Sequence, residues 1–228
     1  MDAVAPPAVV VLDVNETLSD FTALRRRCAS VGGPPGLVDR WFTAVLRDGF
    51  ALTTVGGFAT FGEIGRELLV DMLRHESSVE ATPEEAADEV LSTLSHLDVH
   101  RDVPEGLRRL HAAGVRLVTL TNGNSALTDR LLTRAGLRDL VEATLSVDDV
   151  KRWKPAPEPY RHAAEVMGVE PSRAAMVAVH AWDVDGAQRA GLVGAFLARG
   201  GIGYPAHFTA PAVRATTFPE LAGKLLAL

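Results

Sequence analysis

The chain alternates short apolar runs with helical stretches that each end at a glycine. Runs of four to eight Val, Leu and Ala residues are typical of strands buried on both faces of a parallel sheet. Glycine directly after a helix is a common terminator. The alternation therefore predicts an α/β fold with a doubly wound parallel sheet. The apolar runs are Ala8 to Asp13, Val115 to Thr121, Ala143 to Val147, Ala174 to Val179 and Gly194 to Leu197.

The segment from about Ser19 to Asp98 interrupts this alternation with helical patterns alone. Thr82 precedes Pro83 and two glutamates, a combination that favours a helix start. We therefore expect an inserted all-helical cap at residues 19–97 and a core made of residues 1–18 and 98–228. The predicted cap helices are Asp20 to Ser30, Gly36 to Asp48, Phe61 to Glu76 and Pro83 to Ser95.

Composition excludes several classes of protein. The 228 residues include 23 basic and 29 acidic side chains, a net charge of −6, which argues against nucleic acid as a partner. No apolar run has the length of about 20 residues that a membrane span needs, and no secretory leader is evident. The single cysteine, Cys28, excludes an internal disulfide and a cysteine-based zinc site. We expect a soluble, cytoplasmic protein.

Polar side chains follow four of the predicted strands. In doubly wound sheets, ligands bind beyond the carboxyl ends of the strands. The residues at these ends therefore form one candidate site, delivered by separate parts of the chain. They are Asp13, Asn15 and Glu16 after the first run, Thr121 and Asn122 after the second, Lys154 after the third, and His180 and Asp183 after the fourth.

Four of these segments, in order, resemble the motifs of the haloacid dehalogenase superfamily. They are Asp13-Val-Asn-Glu-Thr-Leu18, Thr121-Asn-Gly123, Lys154-Pro155, and Trp182-Asp183 leading to Ala190-Gly191. The continuation of the third motif to Tyr160, and Ala181 before Trp182, are similar to the type II (S)-2-haloacid dehalogenases. The resemblance covers the whole chain and places the helical insert where the superfamily carries a cap on its Rossmann-like core.

The resemblance implies hydrolysis of a small halogenated carboxylic acid, a short (S)-2-haloacid, to a 2-hydroxyacid through an aspartyl ester, without metal or other cofactor. Homodimers are common in that family, so a second copy of the chain is a candidate partner. The aromatic residues of the cap suggest a tight pocket for a two- or three-carbon acid.

The resemblance also assigns roles to individual residues. Asp13 is the nucleophile, Thr17 orients it, Lys154 pairs with it and with the substrate carboxylate, and Asp183 orients Lys154. Thr121 corresponds to the residue that holds the substrate carboxylate, and Asn122 to the amide that receives the halide. The other expected substrate-binding residues are Asn15, Phe42, Phe61, Tyr160 and Trp182.

The halide site departs from the family pattern. Type II enzymes usually carry a cap arginine that draws off the halide, whereas Phe42 stands at that position, after Trp41. Arg47 follows more than one helical turn later and is an outside candidate. We expect a halide site built from Asn122 and aromatic edges such as Trp41, Phe42 or Phe61.

The fourth motif departs as well. The family commonly has Ser-x-Asn where this chain reads Ala178-Val-His180, and glycine where it has Glu16. We hypothesise that Glu16 orients His180 and raises its basicity, and that His180 removes a proton from the water that hydrolyses the Asp13 ester.

Two alternative functions stay open. A Mg²⁺-dependent phosphatase of the same superfamily is disfavoured because Asn15 and Val179 stand where phosphatases have acids. A non-catalytic binding module is disfavoured by the presence of both Asp13 and Lys154. Asp185 is expected to be exposed on its helix, and the run Arg25 to Arg27 to be a solvated helix face.

Overall fold

The structure, a computed structural model, describes residues 6–76 and 81–228, with a six-stranded parallel sheet at their centre. In chain order the strands are β1 (Val9–Leu12), β2 (Ser19–Asp20), β3 (Asp98–Val99), β4 (Arg116–Thr121), β5 (Ala143–Ser146), β6 (Ala174–Ala178), β7 (Val193–Leu197) and β8 (Val213–Ala215). The order in the large sheet is β5-β4-β1-β6-β7-β8, and every neighbouring pair is parallel.

Helices cover both faces of this sheet. Successive side chains of a strand point to opposite faces, so Val10 and Leu12 pack in one apolar cluster and Val9 and Val11 in another. The side chains on both faces of β1 are fully buried, which explains why this strand is apolar throughout. The helices are α1 (Thr22–Ser30), α2 (Leu37–Thr54), α3 (Phe61–Glu76), α4 (Pro83–Ser92), α5 (Val103–Ala112), α6 (Ser125–Arg134), α7 (Pro157–Val166), α8 (Ala181–Arg189) and α9 (Phe218–Leu225).

Along the chain, helices α1 to α4 come between β1 and β4, which are the first two strands of the large sheet in sequence order. The short strands β2 and β3 pair antiparallel at the base of this insert, with Ser19 opposite Val99. Thr82 and Glu85 form a capping box at the start of α4, in which each side chain accepts the other residue's backbone N–H. These contacts support our division of the chain at residues 19 and 97, which remains a prediction.

The predicted α/β architecture with a helical insert is confirmed. The predicted end of the second helix was wrong, since α2 continues past Gly49 to Thr54. A glycine inside a helix is unfavourable, but here Trp153 packs directly against it: a Cβ at Gly49 would lie 2.4 Å from that ring. We also did not predict β8 and α9, although Thr217 followed by Pro219 and Glu220 is a helix-start signal like the one at Thr82. No helix in the described residues has the length and apolarity to cross a lipid bilayer.

Candidate active site

Asp13 lies directly after β1, almost fully buried at the carboxyl edge of the sheet. Its Oδ2 accepts a hydrogen bond from Thr17 Oγ1 at 2.6 Å. The Thr17 hydroxyl in turn accepts the backbone N–H of Val179 at 3.1 Å. Asp13 Oδ1 accepts a hydrogen bond from Lys154 Nζ at 2.8 Å. Three separate loops therefore fix the orientation of this carboxylate.

Lys154 is fully buried and connects two carboxylates. Its Nζ donates to Asp13 Oδ1, to Asp183 Oδ2 at 2.7 Å and to the carbonyl oxygen of Leu120 at 2.9 Å. These three bonds use all the protons of the ammonium group, so in this structure Lys154 has no donor left for the substrate carboxylate that the resemblance assigned to it. The hydroxyl of Tyr160 donates to Asp183 Oδ1 at 2.6 Å, so Asp183 is held from both sides and positions Lys154 toward Asp13.

Burial and charge act against each other in this cluster. Burial raises the pKa of Asp13, but the positive charges of Lys154 and His180 outweigh it and hold that pKa well below its usual range. Burial lowers the pKa of Lys154, yet its two carboxylate partners leave it raised. Burial, aided by the negative charge of Asp13, raises the pKa of Asp183. Asp13 is therefore ionised at neutral pH, which attack by a carboxylate requires.

Glu16 occupies a backbone conformation that is rare for any residue except glycine, with φ at 62°. Its carbonyl oxygen accepts a hydrogen bond from His100 Nε2 at 2.9 Å. Its carboxylate lies between two basic side chains. Oε2 is 3.2 Å from His180 Nε2, and Oε1 is 2.9 Å from a guanidinium nitrogen of Arg25. These contacts hold the carboxylate beside the imidazole.

His180 lies between Glu16 and Asp13. Its Nδ1 is 3.4 Å from Asp13 Oδ2, an ion-pair distance without hydrogen-bond geometry. Burial lowers the pKa of His180, but the carboxylates of Asp13 and Glu16 outweigh it and raise the pKa to about 9. The ring stacks on Trp182 with centroids 5.3 Å apart, a contact that favours the cationic form. His180 is therefore an imidazolium at neutral pH while Asp13 is ionised.

A small cavity of about 10 Å³ adjoins Asp13, close to the smallest space that holds one water molecule. The cavity is lined by Asp13, Asn15, Phe42, Leu46, Asn122, His180 and Trp182. Within residues 6–76 and 81–228, no three His, Cys, Asp or Glu side chains are grouped to hold a metal ion.

Asn122 holds the loop that carries Lys154. Its Oδ1 accepts the Lys154 backbone N–H at 2.9 Å, and its Nδ2 donates to the Lys154 carbonyl oxygen at 3.3 Å.

Comparison with known proteins agrees with this geometry. A family model described as haloacid dehalogenase-like hydrolase matches residues 7–191. The chain belongs to this family. The sequence motifs that resembled the family are the segments that meet around Asp13.

Two curated relatives within this hydrolase family differ in activity. (S)-2-haloacid dehalogenase 1 from Pseudomonas sp. (strain CBS-3) is 29% identical over 184 residues, 80% of each chain. A plasmid-encoded phosphoglycolate phosphatase from Cupriavidus necator is 29% identical over 201 residues, 82% of this chain and 79% of its own. A solved structure of a dehalogenase with an intermediate complex is 26% identical, with a TM-score of 0.89 over 98% of this chain and 99% of that one.

The structure brings most of the predicted site residues of this family member together. Asp13, Glu16, Thr17, Lys154, His180 and Asp183 form one connected cluster. Asn15, Phe42, Asn122 and Trp182 line the cavity beside Asp13, whereas Thr121 and Phe61 line an adjoining one. Tyr160 does not line either cavity: it is fully buried behind Asp183, so its expected contact with substrate is wrong.

The cap arginine considered as an outside halide ligand lies elsewhere. The Arg47 side chain is 67% exposed and pairs with Asp48 at 2.7 Å, because it points to the solvent side of α2. Trp41 is also absent from the cavity lining. Its indole N–H donates to the carbonyl of Gly65 and its ring packs edge-on against Phe61 inside the cap. Among the aromatic candidates, Phe42 reaches the cavity.

One other expectation was wrong, and one residue was missed. Asp185 is buried, because its carboxylate accepts the backbone N–H of Thr209 at 2.9 Å and pairs with Arg189. The run from Arg25 to Arg27 is an exposed helix face, as expected, and Arg25 also pairs there with Glu16 and Asp39. Leu46 lines the cavity one helical turn after Phe42, and this i, i+4 spacing on α2 was the signal that could have predicted it.

Proposed function

We propose that this protein hydrolyses short (S)-2-haloacids to 2-hydroxyacids through an ester on Asp13. The observation that carries this proposal is the buried Lys154 ammonium, which holds Asp13 at 2.8 Å and Asp183 at 2.7 Å. It keeps an ionised carboxylate beside a small cavity with apolar walls. The relatives named (S)-2-haloacid dehalogenases support the choice of substrate class.

In the first half-reaction, the Asp13 carboxylate attacks the substrate carbon that bears the halogen. A carbon–oxygen bond forms, the carbon–halogen bond breaks with inversion, and the halide departs with the bonding electrons. The Thr121 hydroxyl lies at the same sheet edge and is the candidate to hold the substrate carboxylate. Asn122, Phe42 and the imidazolium of His180 surround the space that we assign to the halide.

Ester formation changes the charge that His180 experiences. Once Asp13 is esterified, its negative charge is gone and an important cause of the raised His180 pKa is lost. His180 then releases its proton to solvent more readily. The neutral imidazole takes a proton from water, the hydroxide attacks the ester carbonyl of Asp13, and the 2-hydroxyacid leaves. This step regenerates both the Asp13 carboxylate and the His180 imidazolium.

Phosphatase activity is the alternative that the phosphoglycolate phosphatase relatives favour. A phosphoryl group brings additional negative charge beside Asp13 and requires Mg²⁺ with further carboxylates. Asn15 and Val179 stand where that chemistry needs acids, and both Asp183 oxygens are already bound by Lys154 and Tyr160. These residues support dehalogenation over phosphate transfer.

A single turnover in oxygen-18 water tests the ester step. With enzyme in excess over (S)-2-chloropropionate, we expect unlabelled lactate and one labelled oxygen in the peptide that contains Asp13, because water attacks the ester carbonyl rather than the substrate carbon. Asp13→Asn is the control and should release no halide. Label found in the first molecule of product would show direct attack by water and overturn the proposal.

A further inference from the structure

A second cavity, of about 90 Å³, adjoins the one beside Asp13. Its polar lining consists of Asn15 and Thr121, at the boundary with the first cavity, together with Ser19, Asn124 and Thr128. The remainder is mainly apolar and lies between the cap and the core. The apolar lining consists mainly of Phe61 and Leu94, Leu97, Leu127 and Leu131.

The leucines of this lining come from two parts of the fold. Leu94 and Leu97 lie at and after the short 3₁₀ turn that ends the cap, whereas Leu127 and Leu131 are one turn apart on α6 of the core. Leu97 and Leu131 are buried, with 5% and 6% exposure. A space with such walls gives water few hydrogen-bond partners and favours an apolar occupant.

The two cavities share a boundary residue, Asn15. Gly123 lies at this boundary, where a Cβ would lie 3.2 Å from Thr121 Oγ1 and 3.4 Å from Asn15 Nδ2, so a larger residue would narrow it. Because the two cavities meet at Asn15, a group bound at Asp13 lies next to the leucine-lined space.

Resting on the function proposed above, we infer that this leucine-lined cavity binds the aliphatic side chain of the substrate. The preferred substrates are then 2-haloacids with a longer side chain than the methyl group of 2-chloropropionate. One water molecule needs roughly 10 to 15 Å³ of such space, so the cavity of about 90 Å³ is large enough for a short chain of several carbon atoms. The substrate carboxylate lies at the polar end, at Thr121, and the carbon chain follows the apolar wall.

Chain-length dependence is the consequence that can be measured. Burying one methylene group in an apolar site improves affinity about fourfold. We therefore expect affinity to rise from acetate through butyrate to hexanoate. Because these acids carry no halogen, their binding reports on the cavity without requiring turnover.

The test is isothermal titration calorimetry of these three acids with the wild type and Leu127→Trp. Leu127 is half-buried near the surface of α6, and an indole there fills the apolar end of the cavity. Arg130→Trp, on an exposed position of the same helix, is the matched control. Leu94→Phe provides a second filling variant from the cap side if Leu127→Trp folds poorly.

We expect the affinity to rise with each added methylene group in the wild type and Arg130→Trp. In Leu127→Trp and Leu94→Phe we expect the same affinity for all three acids. Equal affinity for all three acids in the wild type would overturn the inference, as would an unchanged series in both filled variants. Halide release from 2-chloropropionate and 2-chlorohexanoate is measured in parallel with the calorimetry. No halide release from either would count against the proposed function alone, since calorimetry decides the cavity separately.

Discussion

Glu16 Oε2 lies 3.2 Å from His180 Nε2, and the opposite ring nitrogen lies 3.4 Å from Asp13 Oδ2. The imidazole therefore joins Asp13, the proposed nucleophile, to a second carboxylate. The His180 pKa of about 9 depends on the negative charge of both carboxylates. Because the proposed ester removes one of these charges, His180 becomes a better proton donor to solvent at the stage when a neutral base is needed.

Replacing His180 should separate the two half-reactions. In His180→Ala we expect the Asp13 ester to accumulate, because a positioned base accelerates proton transfer by roughly 10² to 10⁴. Glu16→Gln should slow ester hydrolysis more than ester formation. Mass spectrometry of the protein after rapid mixing with substrate measures the ester. Wild-type turnover by His180→Ala would exclude the imidazole as the base.

The pH dependence of kcat/KM should report the free enzyme. The pKa of Asp13 lies well below its usual range, so its ionisation places no acid limb near neutral pH. His180 is protonated below about pH 9, and its loss of charge above that value removes attraction for an anionic substrate. We therefore expect kcat/KM to fall above about pH 9, and His180→Asn to lack this fall. A wild-type alkaline limb retained in His180→Asn would contradict the assignment.

Arg25 should act as a positioning residue for Glu16. Its guanidinium pairs with Glu16 at 2.9 Å and with Asp39 at 2.7 Å, linking a cap helix to the carboxylate beside His180. In Arg25→Gln no guanidinium offsets the negative charge of Glu16, so the pKa of His180 should rise further. We therefore expect the alkaline limb of kcat/KM to move to higher pH, and ester hydrolysis to slow because less His180 is neutral.

The matched control for Arg25 is Arg27→Gln on the same helix, α1, which removes an exposed ion pair with Glu89 of α4. Exposed pairs contribute about 0 to 1 kcal/mol, so this variant should keep the wild-type pH profile. Arg25→Lys should restore part of the wild-type profile. Identical profiles for Arg25→Gln and Arg27→Gln would show that Arg25 has no positioning role.

Much of the catalytic cluster could be predicted from sequence because parallel strands end at one edge. Asp13, Lys154 and Asp183 follow different strands, and the sheet alone brings such residues together. The direction of cap side chains was not predictable in this way, since it depends on how α1 and α2 pack on the core. For this reason the contact of Arg25 with Glu16 and the outward direction of Arg47 could not be predicted. The burial of Asp185 depends on Thr209, in a loop with no local pattern.

Gly49 should be a site where the cap helix α2 tolerates no side chain. A Cβ there would lie 2.4 Å from the Trp153 ring, next to Lys154. Overpacking of this kind destabilises by about 1 to 3 kcal/mol, so Gly49→Ala should lower the free energy of unfolding in urea. Gly62→Ala, where a Cβ meets open space in α3, is the control and should not. Equal stability of the two variants would mean that Trp153 moves aside freely.

The proposed role of Asp13 is that of the nucleophile in a hydrolytic dehalogenase. It is tested most directly by measuring halide release from (S)- and (R)-2-chloropropionate, in EDTA, with the wild type and Asp13→Asn. We predict release from the (S) enantiomer by the wild type and none by Asp13→Asn. No halide from either enantiomer, together with phosphate release from phosphoglycolate that EDTA abolishes, would contradict the account.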